Sequence, residues 1–330
     1  MAILATEKVL TLDYWKKAGD LQTGDYVFDK DGNIVQVKLI QSYRADGCYR
    51  VWLDDNLTVG GDDRLGFLVE NRKHRQRQSN YKGVFKFRRP LGFTEVQDLL
   101  TTPLRYPNGD HTLSIPTAKP LQLPHQLLDI PPFVFGYWFV NRKTPGKLTF
   151  TNNNDDYLTQ RFKDAGYSVR KTWRMARSQF YFHIKPTIES QLAPHIPHKI
   201  PNNYLLADAE QRIELLSGII NGRSNTYNPK IDRFCFSSKS YTIISQIQGL
   251  VESLGNKTNV QYKESSGWYT LTFKTRIKLV ENQTSPPLKV NYGRRYIHSI
   301  EPLPSQQCVY IETTGPDNSI VVGEGFISTC

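Results

Sequence analysis

Two apolar segments of matching outline stand well apart in the chain: PPFVFGYWFVNRK at 131–143 and RIELLSGIINGRS at 212–224. Each reads as a helix whose apolar run closes on a polar residue, Asn141 in the first and Arg223 in the second. Carboxylates at two such closing positions would share divalent metal for phosphodiester hydrolysis, because hard cations want anionic oxygen ligands. Asn141 offers one neutral carbonyl oxygen, and Arg223 repels a cation. Asp155, Asp156, Glu210 and Glu214 lie near these motifs, yet none occupies a closing position. The residues therefore predict no metal site and no resident cofactor; Mg²⁺ enters only if cleavage survives. Cys48, Cys235, Cys308 and Cys330 are scattered without CxxC spacing, which argues against a zinc site or a disulfide framework and for a reducing compartment. His195 and His198, in PHIPHKIP, read as turn residues.

The 330 residues carry a net charge of +11. That balance suits a polyanion, since Lys and Arg neutralising phosphates dominate nucleic-acid affinity. One stretch concentrates the charge: Arg72, Lys73, Arg75, Arg77, Lys82, Lys86, Arg88 and Arg89, interleaved with Tyr81, Phe85 and Phe87. It reads either as a solvated loop and hairpin or as a basic ribbon along a DNA backbone, with alternate side chains of VFKFRR on the phosphates. No apolar run approaches the roughly 20 residues of a membrane span, and MAILATEKVL lacks the pattern of a secretory signal. The expectation is a cytoplasmic monomer, in a bacterium or a phage-infected cell, with no membrane partner.

The elements that must position these residues alternate in type. EKVLTL, DYVFDKDG, NIVQVKLIQSY and CYRVWL read as short strands, with Asp31-Gly32 as a tight turn. Residues 100–132 are rich in proline and read as an irregular connector. Residues 133–283 look like an internal duplication. The second copy runs IELLSGII, DRFCFSS, YTIISQIQGLVESLG closing at Gly255, NVQYKE and WYTLTFK; the first runs VFGYWFV, KLTFTN, DDYLTQRFKDAGY, SVRKTWR and QFYFHIK. Strands return as RYIHSIEPL, CVYIETT and SIVVGEGFI.

This nested order resembles an intein, a Hint self-splicing domain interrupted by a LAGLIDADG homing endonuclease. ILATEKVLT with WKKAGDLQTGDYVFDKDGN is similar to the first Hint block, and LTVGGDDRLGF stands where the second is expected. KIPNNYLLADAEQRIELLSGIINGRS with FSSKSYTIISQIQGLVESLG resembles the endonuclease centre, and CVYIETTGPDNSIVVGEGFISTC the last two splicing blocks. The resemblance implies an α+β fold: an all-β Hint horseshoe (1–130, with a basic insertion at 70–110, and 286–330) split by a duplicated αββαββα saddle (131–285).

It also implies slots for chemistry. Splicing needs a Cys or Ser nucleophile where Ala2 stands, Thr and His where Gly60 and Asp63 stand, an Asp near Tyr310 or Ile311, and a closing His-Asn where the chain has Thr329-Cys330. A variant started by Cys308 or Cys330 is the remaining route to splicing. In the nuclease half the metal-binding acids fall on Asn141 and Arg223, Asn221 takes the helix-capping position, and Gly136 and Gly218 preserve close helix contact. Such proteins read duplex DNA with β-ribbons, which makes Lys147, Arg170, Lys171, Arg174, Lys185, Arg233, Lys263 and Lys274 groove candidates. Three readings follow: an intein-derived DNA-binding protein inactive in splicing and cleavage; a non-splicing Hint relic docking within a fused host protein, faintly like Hint segments of phage DNA-packaging terminases; and an active endonuclease with a substituted site.

Overall fold

A computed structural model describes residues 2–12, 15–71, 92–141, 149–150, 155–174, 179–185, 198–223, 226–283, 293–323 and 325–330. The chain divides into two compact units. One comprises Met1–Leu123, Val251–Asn259 and Pro286–Cys330; the other comprises Pro124–Leu250 and Val260–Ser285.

The first unit is built on two antiparallel sheets, and both interleave strands from the two ends of the sequence. Among the described residues, one sheet orders nine strands, with Ala2–Leu4 held between Gln306–Thr313 and Thr58–Asp62. Ala2 lies opposite Tyr310, Leu4 opposite Cys308, and Ile3 opposite Gly61 on the other side. The second sheet sets Lys8–Leu10 beside Ile320–Val322, then Ile327–Thr329 and Gly66–Leu68. Alternating apolar residues from both sheets, among them Ile3, Val59, Phe67, Val309, Ile320 and Ile327, form one buried core. The strands read from EKVLTL, DYVFDKDG, NIVQVKLIQSY and CYRVWL all form. The proline-rich connector is less irregular than expected. Leu113–Pro116 forms a strand between Arg294–Leu303 and Glu70–Asn71, with Pro116 at its end, where a missing ladder donor costs least.

The Asp31-Gly32 turn joins Tyr26–Phe28 to Ile34–Ala45, with Gly32 at φ +82°. Asp29 organises it, its Oδ1 accepting from the backbone N–H groups of Asp31 and Asn33. Asp31 then meets Lys119 at 2.6 Å and also Lys30, which reaches Asp317 at 2.8 Å. Hydrogen bonding from Lys119 and Lys30 holds the Asp31 carboxyl below the usual carboxylate range. A lowered folded-state pKa stabilises above the ordinary value and is lost as pH falls through the lowered one. With Lys119 69% exposed, the contribution is at most about 1 kcal/mol. In urea titrations, Asp31→Asn should therefore lower the midpoint at neutral pH and match the parent in acid; a pH-independent gap would contradict this.

The second unit holds two smaller sheets and the duplicated helices. Pro132–Asn141, starting on a proline that gives up no helical hydrogen bond, and Asp155–Asp164 go with the sheet Thr149–Phe150, Gln179–Lys185, Ser168–Arg174. Ala209–Asn221 is capped by Asp208, whose side chain accepts from the Gln211 N–H at 2.8 Å. With Tyr241–Ser253, which ends before Gly255 at φ +80°, it goes with a sheet of Tyr227–Asn228, Arg233–Ser238, Trp268–Phe273 and Thr258–Lys263, the last turn of that helix and the first residues of the last strand belonging to the 251–259 segment of the first unit. The architecture is α+β. Among the described residues no helix is long and apolar enough to cross a membrane.

Candidate functional site

The two motif helices cross at backbone contact. A Cβ on Gly136 would stand 2.4 Å from the Leu215 carbonyl oxygen, and one on Gly218 would stand 2.1 Å from that of Phe133. Gly222 extends the seam, its Cβ position 2.5 Å from Val140 Cγ2. Only residues without side chains permit this approach. Fully buried Phe135, Leu216 and Ile219 flank it.

At the closing positions the metal chemistry does not fit. Half-buried Asn141 supplies only an amide. Arg223 turns onto the second sheet, its Nη1 donating to the Ser237 carbonyl at 2.9 Å and its guanidinium lying 4.9 Å from the Phe236 ring centre. Asn221 ties the helix end down by donating to the carbonyls of Ser217 and Leu279, both at 2.8 Å. Of the neighbouring acids, Glu214 pairs with Arg161, Asp156 and Glu210 are exposed, and Asp208 caps its helix while binding His125 at 2.6 Å. Among the described residues no group of three His, Cys, Asp or Glu is placed to hold a metal.

The candidate groove residues divide by strand alternation. Exposed Arg233 alternates with buried Phe234 and Phe236, so it faces away from that sheet's core with Cys235 and Ser237. Lys263 is exposed and Lys274 half-buried. On the first sheet Ser168 lies opposite Lys185 and Arg170 opposite His183, which puts Arg170 and Lys185 on one side. Lys171, opposite Phe182, falls on the other side with Val169 and buried Ile184, so the Arg170-Lys171 pair splits between faces. Arg174 ends its strand opposite Gln179. The basic stretch from Arg72 to Arg89, Lys147 and His195 lie outside the described residues.

The positions that the resemblance marks for splicing fall largely on adjoining strands of the β unit. Ala2 is fully buried, and its carbonyl oxygen would be 2.4 Å from a Cβ on Gly61. A side chain at Gly60 would meet Leu4 Cδ1 at 2.4 Å; its N–H donates to Glu7 Oε1 at 3.0 Å, and burial raises the pKa of that carboxyl. Asp63 is exposed. Thr329 is buried, its hydroxyl 3.4 Å from the Ile320 carbonyl. Cys330 exchanges two backbone hydrogen bonds with Gly66, at 2.9 and 3.0 Å, and burial pushes its thiol up to about 12. The segment from Gly61 to Gly66 thus runs between the strand holding Ala2 and the residue Cys330.

The sequence pattern gave no sign of a neighbouring cluster. Asp62, not Asp63, is the buried acid of its loop, accepting from Tyr43 Oη and from Arg64 at 3.0 Å. Cys48 and Cys308 bring their Sγ atoms to 3.8 Å beside it. Strand pairing alone assembles these residues.

No family model matches the chain. A curated relative, the replicative DNA helicase DnaB of Mycobacterium intracellulare, is 23% identical over 350 aligned positions, covering 96% of this chain and 58% of the helicase. The chain thus spans little more than half the length of that relative. Among solved structures, the zinc-bound splicing domain of the Msm DnaB1 intein is 22% identical over 21% of this chain and 55% of its own, with a TM-score of 0.20. A mesophilic variant of homing endonuclease I-DmoI is 13% identical over 48% of this chain and 97% of its own, with a TM-score of 0.31. The interleaved β unit and the duplicated helix–sheet unit accord with the resemblance carried by the sequence motifs, that of an intein-like chain in which a Hint-type β domain is interrupted by a LAGLIDADG-type unit.

Proposed function

We propose that this chain is an intein-derived protein that binds double-stranded DNA and neither cuts it through the motif-helix site nor splices through its first and last residues. The observation that carries the reading is the state of the helix seam. Its glycine contacts are intact, which keeps the unit that would present the sheets to DNA, while its base carries Asn141 and an arginine committed to Ser237. Outward-facing Arg170, Lys185 and Arg233 supply phosphate contacts that need no metal. The charge of +11 adds a sequence-independent attraction.

Incubation of the full chain with Mg²⁺ and supercoiled or linear duplex should leave the DNA uncut over hours. Metal-dependent double-strand cleavage that disappears in Asn141→Ala would overturn the claim.

One observation favours a second reading. Cys308 lies opposite Leu4, on the strand paired with Ala2–Leu4, so a thiol stands within the sheet that holds the chain start. A thiol there could begin bond exchange in place of the missing first nucleophile. With flanking sequences added at both ends, the principal reading predicts a chain of unchanged mass. A ligated flank product lost in Cys308→Ala would establish the second. Weak DNA binding with no preferred sequence would favour a docking role within a fused host protein instead.

A further inference from the structure

Four side chains from four strands of the first unit converge on one pocket. Residues directly opposite on antiparallel strands point to the same side of a sheet. Cys308 lies opposite Tyr43, and Cys48 lies opposite Asp62. Tyr43 Oη donates to Asp62, which joins the two pairs. Leu4 and Ala45 pack the remaining sides, with Tyr43 and Leu303 against them. Within this enclosure the Cys48 and Cys308 sulfurs stand 3.8 Å apart, with both residues about 1% exposed or less. Cys235 and Cys330 are also free thiols, at half-buried positions.

We propose that Cys48 and Cys308 are an oxidisable dithiol that closes to a disulfide across the β unit. A disulfide needs the sulfurs at about 2.0 Å. Closing the gap from 3.8 Å requires the two sulfurs to move together within the enclosure. With hydrogen peroxide as the two-electron oxidant, one thiolate attacks the peroxide oxygen, forming a sulfenic acid and releasing hydroxide, which takes up a proton to become water. The second sulfur attacks the sulfenic sulfur, loses its proton, and expels a second water. Two thiols and one peroxide thus give one disulfide and two waters. Burial disfavours the Cys308 thiolate, which slows the first attack, while the 3.8 Å separation favours the second once a sulfenic acid has formed. The bond would join positions 260 residues apart, enclosing the entire inserted unit in one covalent loop. Such a long closure restricts the unfolded chain strongly.

The experiment treats the full folded chain with hydrogen peroxide or diamide, then unfolds it and alkylates the remaining thiols. The proposal expects alkylatable cysteines to fall from four to two, with a linked peptide pair containing Cys48 and Cys308 that dithiothreitol releases. The thermal midpoint of the oxidised chain should exceed that of the reduced chain. Cys48→Ala and Cys308→Ala should each abolish the linked pair. Four alkylatable thiols after oxidation, or a peptide map linking Cys235 or Cys330 instead, would overturn the proposal; because the map is made on the unsubstituted chain, misfolding of a variant does not leave the question open.

Discussion

Replacing Gly218 with alanine is expected to lower the stability of the inserted unit by about 1–3 kcal/mol, toward the upper end of that range. The added methyl would stand 2.1 Å from the Phe133 carbonyl oxygen, 2.9 Å from its carbon and 2.9 Å from the Tyr137 nitrogen. All three are backbone atoms, so no side chain can rotate out of the way. The helices must part, and parting loosens fully buried Phe135, Leu216 and Ile219 around the seam. Gly249 is the control. It also lies inside a helix, and a Cβ there meets nothing within 4 Å. Gly249→Ala should therefore gain up to about 1 kcal/mol, since only the backbone entropy cost of glycine is removed. Urea unfolding followed by tryptophan fluorescence, with Trp138 on the first helix as a reporter, measures both. Equal and small effects would mean that the helices do not meet as closely as described.

Arg295→Met should cost about 3–5 kcal/mol, the range for stripping one partner from a buried ion pair. Arg295 is 2% exposed, with Nε 2.7 Å from Asp55 Oδ2 and Nη2 3.7 Å from Glu252 Oε1. Glu252 is equally buried and also accepts from Thr258 Oγ1 at 2.5 Å. The guanidinium thus neutralises carboxylates from the 54–56 turn and from the 251–259 segment of the same unit. Removing it leaves both anions in a medium that solvates them poorly. Pairing Arg295→Met with Asp55→Leu removes one stranded charge, so the double variant should be more stable than the single one. A double variant as unstable as the sum of its parts would show that packing, not charge, dominates there.

Much of the fold was legible in the residues because its periods are local. Alternation in NIVQVKLIQSY and RYIHSIEPL, and the helical runs around Gly136 and Gly218, depend on neighbours within a few positions. The glycine seam was legible only through the resemblance, which marks Gly136 and Gly218 as the contact positions of paired helices. The strand Leu113–Pro116 escaped because proline spacing signals a breaker, while its pairing with Arg294–Leu303 is set by distant sequence. The Arg170-Lys171 pair was legible as basic but not as divided, because only register against Phe182 and His183 assigns the faces. The Cys48–Cys308 contact and the burial of Asp62 were invisible for a stronger reason. They are consequences of strand order across most of the chain, and neither residue sits in a motif that names its partner.

One measurement addresses most directly the proposal that the chain binds duplex DNA without cutting it. The full chain is titrated with salt against a pool of random duplexes in the presence of Mg²⁺, and both retained and released DNA are sequenced. The account predicts affinity falling on the order of a thousandfold or more between 50 and 200 mM salt, enrichment of a long site in the retained pool, and no new DNA ends in either pool. Weak binding with no enriched sequence, or new ends at a defined site, would contradict it.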